Sequence, residues 1–457
     1  VRRYLERLEH AVEDLGVIAP LQIMQSDSGI VPAAVAANDP SGMYLSGPVA
    51  GVVGAQAVAE AAGITDAITL DMGGTSTDVS VIVDGEMVVT SDGTIDSLPI
   101  GSPIVDIVTV GAGGGSIAVI DHGGMLSVGP QSAGAEPGPA CYGQGGNLAT
   151  LTDALVVLGI IIAEDFVDGE IQLATELALK AMTPIAERLK VSPSDAATEV
   201  LDVAVANVVR GCRLVSVERG RDPRDMTLLV YGGLGPTVAA LVAESLEIAH
   251  VLVPALPGVF SAVGLCMAGY RRDYALSILG PISDTIDKAK LELEELVRAA
   301  QHEYRTFVDV AGDPPRVTYW VEARYESQGY ELRIPVRDFA SVTSLGQEFH
   351  QAHDTRYGHA FPSTPVWSVN WGITVTTPSR GLLRVPKRTQ PPTPATRRPI
   401  WWKGREMEAW WSVRESLEAE NITGPAVIAE HTSTTFAPPG WRAGMDASGN
   451  VHLRCET

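Results

Sequence analysis

The sequence is poor in cysteine, and basic residues are far fewer than acidic ones. Its four cysteines, Cys141, Cys212, Cys266 and Cys455, stand far apart without a C-x-x-C pair, which argues against a cysteine metal cage or a disulfide framework. The 33 Lys and Arg residues against 55 Asp and Glu residues give a formal net charge of −22. Nucleic acid and anionic membranes repel such a surface, so we expect neither as a partner.

Long apolar runs and histidine metal motifs are also missing. Runs such as 155–163 fall well short of the roughly 20 residues that span a bilayer, and no basic-then-apolar leader is seen. With the scattered cysteines, this indicates a cytoplasmic protein with reduced thiols. The nine histidines form no H-x-x-x-H or H-E-x-x-H pattern, and His350 and His353 are an isolated pair, so we expect no metal site built from histidines.

The remaining composition describes a folded globular chain. Its 457 residues, 45% hydrophobic and 19% charged, are enough for about three domains. We expect a helical lead-in over 1–45 and an α/β region over 46–275, where β-branched runs alternate with glycine-rich turns and helical stretches. All eight tryptophans follow residue 317, which predicts a β-rich α+β domain over 276–457 with a proline-rich linker near 386–398.

Hydrophobic spacing and turn residues also predict individual elements. Helices are expected over Val1–Leu15, Ala57–Ala62, Ala174–Leu189, Ser194–Val217, Thr237–Leu246 and Ala289–Val310. Strands are expected over Ala67–Leu70, Val79–Val83, Thr227–Tyr231 and Val251–Val253, and ordered loops over 111–146.

The stretch LDMGGTSTDVSVI (70–82) carries the clearest chemistry. It places Asp71 at the end of one predicted strand and Asp78 at the start of the next. The turn between them consists of small and hydroxylated residues: Gly73, Gly74, Thr75, Ser76 and Thr77. Such a turn lets backbone amides and hydroxyls hold phosphate oxygens, while Asp71 can hold Mg²⁺ or orient a nucleophile. The alternative is a plain β-hairpin with an Asx-type turn, which would not require two aspartates around so many small residues.

Three further stretches are candidates with open alternatives. In VYGGLGPTVAALVAESL (230–246), Gly232, Gly233 and Gly235 precede a predicted helix and could receive a nucleotide, although many strand–helix turns are similar. The glycines of TVGAGGGSIAVI (109–120) indicate close approach of a ligand or another chain, or a glycine bulge between strands. Cys141 could be a nucleophile, but no histidine is near in sequence, which favours a buried or loop cysteine.

Together these stretches resemble the hydantoinase A/oxoprolinase family, whose relatives include acetone and acetophenone carboxylase subunits. The matching stretches, in family order, are SGPVAGVVGA (46–55), LDMGGTSTDVSVI, TVGAGGGSIAVI, VGPQSAGAEPGPACYG (128–143), LTDA (151–154), SVERGRDPRDM (216–226), VYGGLGP and VPALPGVFSAVGL (253–265). Looser matches follow in RYESQGYEL (324–332), RYGHAFP (356–362) and GPAVIAEHTSTTFAPPGW (424–441).

The resemblance implies an actin-like (ribonuclease H-like) ATPase lobe with glycine-rich insertions, followed by the β-rich domain. It implies ATP and Mg²⁺ as cofactors, with Asp71 and Asp78 as catalytic carboxylates, Asp71 also as the Mg²⁺ ligand, and the turns at Gly73 and Gly232 as phosphate and adenosine motifs. In such amide hydrolases ATP phosphorylates the amide oxygen, and water then opens the ring.

The resemblance also leaves alternatives. The implied protein is a subunit of a hydantoinase or oxoprolinase that acts on a cyclic amide with a hydantoinase B-type partner, in a hetero-oligomer. Alternatives are a carboxylase subunit that acts on a ketone, and a truncated, non-catalytic assembly subunit. The family opens with another lobe and its own Asp-x-Gly-Gly-Thr loop, whereas this sequence has one such loop. We therefore expect that the chain is a fragment, that its gene start is misplaced, or that a separate polypeptide supplies the first lobe. Leu234 and Val238 replace the usual alanine and histidine of the adenosine motif.

Overall fold

The chain forms two compact units. The computed structural model describes residues 1–90, 93–95, 98–99, 104–163, 172–307, 315–378, 381, 395–417 and 422–456. Unit 1 consists of Val1–Ser46 and Ala268–Arg380, and unit 2 of Gly47–Met267 and Gly381–Thr457.

The described helices lie in both units. They are α1 (Arg2–Asp14), α2 (Ala33–Asn38), α3 (Ser46–Ala61), α4 (Leu151–Val157), α5 (Thr175–Leu189), α6 (Pro193–Val215), α7 (Gly235–Ser245), α8 (Phe260–Met267), α9 (Ile282–Phe307) and α10 (Val342–Tyr357). None of these described helices has both the length and the apolarity needed to cross a bilayer.

The strands of the first half of the chain lie mostly in unit 2. They are β1 (Gln22–Met24), β2 (Ile30–Pro32), β3 (Ala67–Met72), β4 (Thr77–Val83), β5 (Glu86–Met87), β6 (Val89–Thr90), β7 (Thr94–Ile95), β8 (Leu98–Pro99), β9 (Ile104–Val105), β10 (Val108–Val110), β11 (Ser116–Ile120), β12 (Leu126–Ser132), β13 (Thr227–Tyr231) and β14 (His250–Val253).

The later strands belong to both units. They are β15 (Arg271–Pro281), β16 (Arg316–Tyr325), β17 (Leu332–Val336), β18 (Val366–Thr376), β19 (Thr396–Trp402), β20 (Arg405–Val413), β21 (Ile422–Thr423), β22 (Ala426–Glu430), β23 (Ser433–Ala437), β24 (Trp441–Met445) and β25 (Val451–Cys455).

A central mixed sheet organises unit 2. Its strand order is β10-β4-β3-β13-β14-β25-β24-β21, with β5 beside β4. The inner strands β3, β13 and β14 run parallel and are almost wholly buried, as expected for apolar runs covered on both faces. Helices α4 to α7 share the core cluster on one face, and α3 and α8 contribute to the cluster on the other.

The contact between α3 and α8 explains two small-residue stretches of the sequence. A Cβ added to Gly54 of α3 would lie 3.0 Å from the Cα of Gly264 in α8, so the two helices approach closely only without side chains there. Glycine therefore serves helix packing at these positions.

A second sheet in unit 2 comes from the end of the chain. Its order is β19-β20-β22-β23, and β23 packs against α7. Ile400, Val427 and Phe436 from this sheet belong to the same buried core cluster as the central sheet. The last quarter of the chain is therefore part of the same compact unit as residues 47–267.

Unit 1 is an α+β arrangement with its own core. Its sheet has the order β15-β18-β16-β17, and its core includes apolar side chains of α9 and α10. Trp371, Phe349 and Leu293 are almost fully buried there. Leu5 of α1 and Val31 of β2 belong to the same cluster, so unit 1 joins the start of the chain to residues 268–380.

The described elements differ from the sequence predictions in extent. Helix α3 begins at Ser46 instead of Ala57, and α9 begins at Ile282 instead of Ala289, because apolar packing extends each helix beyond its most regular stretch. The region 111–146 contains the hairpin β11–β12 between its loops. The two units also differ from the predicted linear division, since 276–457 is shared between them. Most of the predicted linker near 386–398 lies outside the described residues, and 396–398 begin β19.

Candidate functional site

Two glycine turns meet at one edge of the central sheet. Strands β3 and β13 are parallel neighbours, with Asp71 opposite Tyr231 in register. The turn after each strand therefore lies at the same carboxyl edge, where open α/β sheets bind ligands. The Leu234 amide donates to the Met72 carbonyl at 3.0 Å, which ties the second turn to the first.

The first turn, Gly73–Ser76, presents amides that the protein does not use. The carbonyls of Gly73 and Gly74 accept hydrogen bonds from the Gly114 and Gly115 amides at 3.0 and 2.6 Å. Within the described part of the chain, the amides of Gly74, Thr75 and Ser76 donate no hydrogen bond. Successive free amides in a tight turn form a concave site for an anion.

The second turn leads into the amino end of helix α7. The Gly233 amide likewise donates no hydrogen bond to any described residue, and Gly233 is exposed. The 11-residue helix begins at Gly235, so its positive dipole end lies at this edge of the sheet. The two turns thus bring two sets of anion-binding groups to the same edge of the sheet.

A cavity of about 360 Å³ opens between these turns and the C-terminal sheet. Its size is within the range of small-molecule sites, about 300–1,000 Å³. The glycines of its lining are Gly73, Gly74, Gly114, Gly233 and Gly258. The remaining lining residues are Tyr142, Thr152, Ile161, Ile162, Leu234, Thr237, Trp411, Val427, Ala429, Glu430, His431, Thr432, Ser433 and Thr434.

The two predicted carboxylates lie beside the turns but do not line the cavity. Asp71 and Asp78 are directly opposite each other on β3 and β4, so their side chains share one face of the sheet. The Ser261 hydroxyl donates to Asp71 Oδ2 at 3.0 Å, and the Thr109 hydroxyl donates to Asp78 Oδ1 at 2.6 Å. Both carboxylates are therefore held in place by other elements.

Burial dominates the electrostatics of this pair. Removal from water raises the pKa of Asp71 to about 6, and the neighbouring Asp78 carboxylate adds to that effect while the Ser261 hydrogen bond opposes it. Burial also raises the pKa of Asp78. Two adjacent carboxylates are a donor set that fits Mg²⁺, which prefers oxygen ligands and is often shared between one or two carboxylates and phosphates.

No group of three or more His, Cys, Asp or Glu side chains arranged to hold a metal occurs in the described ranges. A Mg²⁺ ion at Asp71 and Asp78 would therefore need further oxygens from a phosphate or from water.

Three of the predicted binding residues have structural roles. The Thr77 side chain is fully buried, and its hydroxyl donates to the Ala112 carbonyl at 2.6 Å, so it is not available to a phosphate in this conformation. Gly232 has a φ of +82°, and a Cβ there would press on the Asp71 carboxylate. A Cβ on Gly235 would lie 2.8 Å from Val230. These two glycines are required for packing.

The third glycine stretch serves the first turn. A Cβ on Gly113 would lie 2.7 Å from the Thr75 amide nitrogen, so loop 111–115 packs directly on turn 73–76. Thr152 fixes the loop from the other side, since its hydroxyl and its amide both donate to the Gly114 carbonyl at 2.9 Å. The close approach is to this chain itself, and Gly114 also contributes to the cavity wall.

Cys141 is a structural residue. Its side chain is fully buried, and burial together with the neighbouring Asp153 carboxylate raises the pKa of its thiol. A nucleophilic cysteine requires the opposite shift. Asp153 itself accepts hydrogen bonds from the amides of Ala140, Cys141 and Thr150, and so organises the loop that precedes α4.

The isolated histidine pair lies in unit 1 and ties two sequence stretches together. His353 is fully buried, with Nδ1 at 2.7 Å from the His359 carbonyl and Nε2 at 2.9 Å from the Gln328 amide nitrogen. His350 Nδ1 lies 2.8 Å from the Tyr325 hydroxyl. RYESQGYEL and RYGHAFP are therefore neighbours in space, and both histidines have structural partners.

Sequence reasoning missed the C-terminal wall of the cavity. Trp411 and residues 429–434 line it, although they are about 180 to 360 positions from the two glycine turns. The hydroxyl of Thr237 in α7 donates to the Thr434 carbonyl at 2.7 Å, which joins this wall to the helix. The family-like stretch GPAVIAEHTSTTFAPPGW contains most of these residues and was the available signal.

Comparisons with known proteins give one family. The sequence model described as hydantoinase/oxoprolinase matches residues 1–274. Caprolactamase subunit alpha from Pseudomonas jessenii is 33% identical over 472 residues, which cover 99% of this chain and 67% of that subunit.

Two solved structures resemble the whole chain. Nucleotide-free acetone carboxylase, from a study of ATP-dependent acetone carboxylation, has a TM-score of 0.84 at 26% identity and covers 99% of this chain and 67% of its own. The ATP-dependent caprolactamase of Pseudomonas jessenii has a TM-score of 0.78 at 32% identity and covers 100% of this chain and 68% of its own. The chain thus spans about two thirds of each relative.

Proposed function

Because this chain belongs to the hydantoinase/oxoprolinase family, we propose that it is a subunit of an ATP-dependent cyclic amide hydrolase. The observation that carries the proposal is the convergence of turn 73–76, with the free amide of Gly74, and the amino end of α7 on one cavity. Such a site suits a phosphate chain, because it offers backbone N–H donors and the positive end of a helix dipole.

In this proposal the central sheet is an actin-like ATPase lobe. Support comes from its antiparallel strands β10, β4 and β3, followed by the parallel strands β13 and β14, with helices on both faces. The phosphates of ATP bind the amides of Gly74, Thr75 and Ser76, and the nucleoside, which the turn at Gly232 contacts, extends into the cavity.

Asp71 and Asp78 provide the acidic part of the site. They would hold Mg²⁺ that arrives with the nucleotide, and the ion would neutralise charge on the phosphates during transfer. Asp71 is next to Gly232, whose neighbour Gly233 lines the cavity, so a phosphate chain that crosses this turn would reach the carboxylate. The Ser261 hydrogen bond keeps that carboxylate oriented.

The chemistry follows from the poor reactivity of an amide. The amide oxygen attacks the terminal phosphorus of ATP and ADP leaves. Water attacks the carbon of the phosphorylated amide, the C–N bond breaks with a proton transferred to the leaving nitrogen, and the ring opens to an acyl phosphate. A second water attacks the acyl carbon, so that phosphate departs with the former amide oxygen and the carboxylic acid remains. The chain contributes positioning and charge stabilisation, which are the main requirements of phosphoryl transfer. A hydantoinase B-type partner subunit in a hetero-oligomer would supply the remaining contacts to the amide.

A carboxylase subunit is the second candidate. The structural resemblance to acetone carboxylase, with a TM-score of 0.84, supports this candidate. A ketone substrate would then be activated together with bicarbonate. A non-catalytic assembly subunit is the third candidate, and it predicts no ATP binding by this chain.

An ATPase assay separates the three candidates. The chain, purified with its partner subunit, is assayed for phosphate release with a hydantoin, 5-oxoproline, a lactam and acetone, each with and without bicarbonate. Stimulation by a cyclic amide without bicarbonate supports the hydrolase. Stimulation by the ketone only with bicarbonate supports the carboxylase. If no compound stimulated ATP turnover, both enzyme candidates would be contradicted.

A further inference from the structure

Helix α8 brings one side chain to the carboxylate pair from outside the cavity. The Ser261 hydroxyl, in the first turn of α8, donates to Asp71 Oδ2 at 3.0 Å. Over the ranges that the structure describes, no other group donates a hydrogen bond to the Asp71 carboxylate. The terminal torsion of an aspartate is only weakly restrained by its own rotamer preference, so this hydrogen bond sets the orientation of the carboxylate plane.

The position of Ser261 depends on how closely α8 approaches α3. Gly264 lies one turn after Ser261 in α8, and a Cβ there would overlap with the Ala50 carbonyl oxygen of α3. A Cβ on Gly54 would lie 3.1 Å from the Phe260 ring. The backbones of the two helices are therefore in contact, and this close approach requires glycine on both sides.

Gly51 is the residue of α3 that faces Ser261 directly. A Cβ added to Gly51 would lie 3.0 Å from Ser261 Oγ and 2.6 Å from Cε2 of Tyr231. Tyr231 is opposite Asp71 in register on the neighbouring strand and is 1% exposed, and its ring centroid lies 4.8 Å from that of Phe260. Because this tyrosine is enclosed, a side chain at position 51 would separate α3 from α8 and carry Ser261 away from Asp71.

Helix packing alone does not account for the hydroxyl. Any small residue at position 261 would allow α8 to lie close to α3, but an alanine there would leave the Asp71 carboxylate without its donor. The stretch SGPVAGVVGA (46–55) contains Gly51 and Gly54, yet it contributes none of the described residues that line the cavity. The contact of α3 with α8 therefore connects this stretch to the candidate site through Ser261 and Asp71.

We propose that Gly51 and Ser261 are positioning residues for Asp71. The glycine lets α8 lie close to α3, and the Ser261 hydroxyl then holds Asp71 Oδ2 in a fixed direction at the edge of the sheet where the two turns meet. Helix α3 thus acts on phosphoryl transfer without contacting the nucleotide. This inference rests on the proposed function, since it assumes that Asp71 acts in ATP turnover.

The first test separates turnover from binding in Ser261→Ala. ATP hydrolysis in the presence of a cyclic amide is measured for the complex with its partner subunit, and the affinity for ATP is measured by calorimetry. Loss of a hydrogen bond to a charged group is expected to lower kcat about 10- to 100-fold relative to the wild type. The KM and the affinity for ATP should change less than about twofold, because the amides of turn 73–76 are unaltered.

The second test, Gly51→Ala, concerns the helix contact. This variant should lower kcat as Ser261→Ala does. In the double variant kcat should be no lower than in Ser261→Ala, because Gly51 acts through Ser261. One matched control is Gly47→Ala in the same helix, where the added Cβ meets no heavy atom within 4 Å. The other is Ser245→Ala, which removes a hydroxyl that donates to the Leu241 carbonyl near the end of α7. Both controls should match the wild type.

Thermal unfolding of each variant shows whether lost turnover reflects lost folding, and Ser261→Ala remains informative if Gly51→Ala does not fold. An unchanged kcat in either folded single variant, a parallel loss of ATP affinity, or losses that multiply in the double variant would overturn the inference while leaving the proposed function intact. If the wild-type complex turned over no ATP with any cyclic amide, the proposed function would fail, and this inference would fall with it.

Discussion

Gly74 offers a way to block the phosphate site without disturbing the fold. A Cβ added to Gly74 would meet no heavy atom within 4 Å, and its φ is outside the left-handed range. The methyl group of Gly74→Ala would therefore project into open space at a residue that lines the cavity. Because the protein tolerates the group, any cost falls on the ligand.

Gly74→Ala should raise the stability of the protein but weaken its binding of ATP. Replacing glycine where the backbone is compatible stabilises a protein by about 0.4–1 kcal/mol, because the unfolded chain loses freedom. Hydrogen bonds to charged groups contribute about 1.5–3 kcal/mol, so displacing a phosphate from one amide should weaken ATP binding about 10- to 150-fold.

Gly113→Ala is the matched contrast. Its added Cβ would lie 2.7 Å from the backbone of Gly74 and Thr75, so this variant should lose stability as well as binding. Urea denaturation gives the free energy of unfolding, and calorimetry gives the ATP affinity. A Gly74→Ala variant that is stable and binds ATP like the wild type would refute the placement of phosphates on this turn.

Three further predictions concern charged side chains. Asp71→Asn should abolish ATP turnover yet raise the free energy of unfolding at pH 8 by up to about 3 kcal/mol. Burial raises the pKa of Asp71 to about 6 from 3.8, so its ionised form opposes folding above pH 6. The stability gained by the substitution should therefore vanish below pH 4. Burial and His452 lower the pKa of His250 to about 4, so stability should fall as pH drops from 6.5 to 4, and less steeply in His250→Gln. Arg414→Ala should lower the free energy of unfolding in urea by about 3–5 kcal/mol, because this guanidinium donates hydrogen bonds to a buried carboxylate and to backbone carbonyls. Arg442 lies in an exposed ion pair, so Arg442→Ala should lower it by less than about 1 kcal/mol.

The glycine turns could be predicted from sequence because their signal is local. Residues 67–83 contain two β-branched runs around a Gly–Gly pair, and the hairpin β3–β4 pairs as that pattern indicates. The same holds for the strand, turn and helix at 227–245. Here a few adjacent residues determine the conformation, and tertiary packing reinforces it.

The separate roles of the residues in loop 71–78 could not be predicted from the local sequence. Side chains alternate along a strand, so the sequence shows that Asp71 and Asp78 flank the turn but not which sheet face they share. The buried hydrogen bond from Thr77 to Ala112 likewise depends on a loop 35 residues away. Residue type was sufficient to nominate these positions but not to assign their partners.

Long-range pairing explains the other differences. Unit 1 brings residues 1–46 together with 268–380, and the cavity wall at 429–434 comes from strands that pair only within the C-terminal sheet. Periodicity identifies such strands but does not specify their neighbours in space. The family motifs give the order of these stretches along the chain, but not which of them are neighbours in space.

The fate of the amide oxygen tests the proposed reaction most directly. The complex is supplied with ATP and a cyclic amide labelled with ¹⁸O at its carbonyl, and the released phosphate is analysed by mass spectrometry. Phosphorylation of the amide oxygen predicts one ¹⁸O in each phosphate released by amide hydrolysis. Unlabelled phosphate, formed at the same rate as ring-opened product, would contradict the proposed phosphoryl transfer.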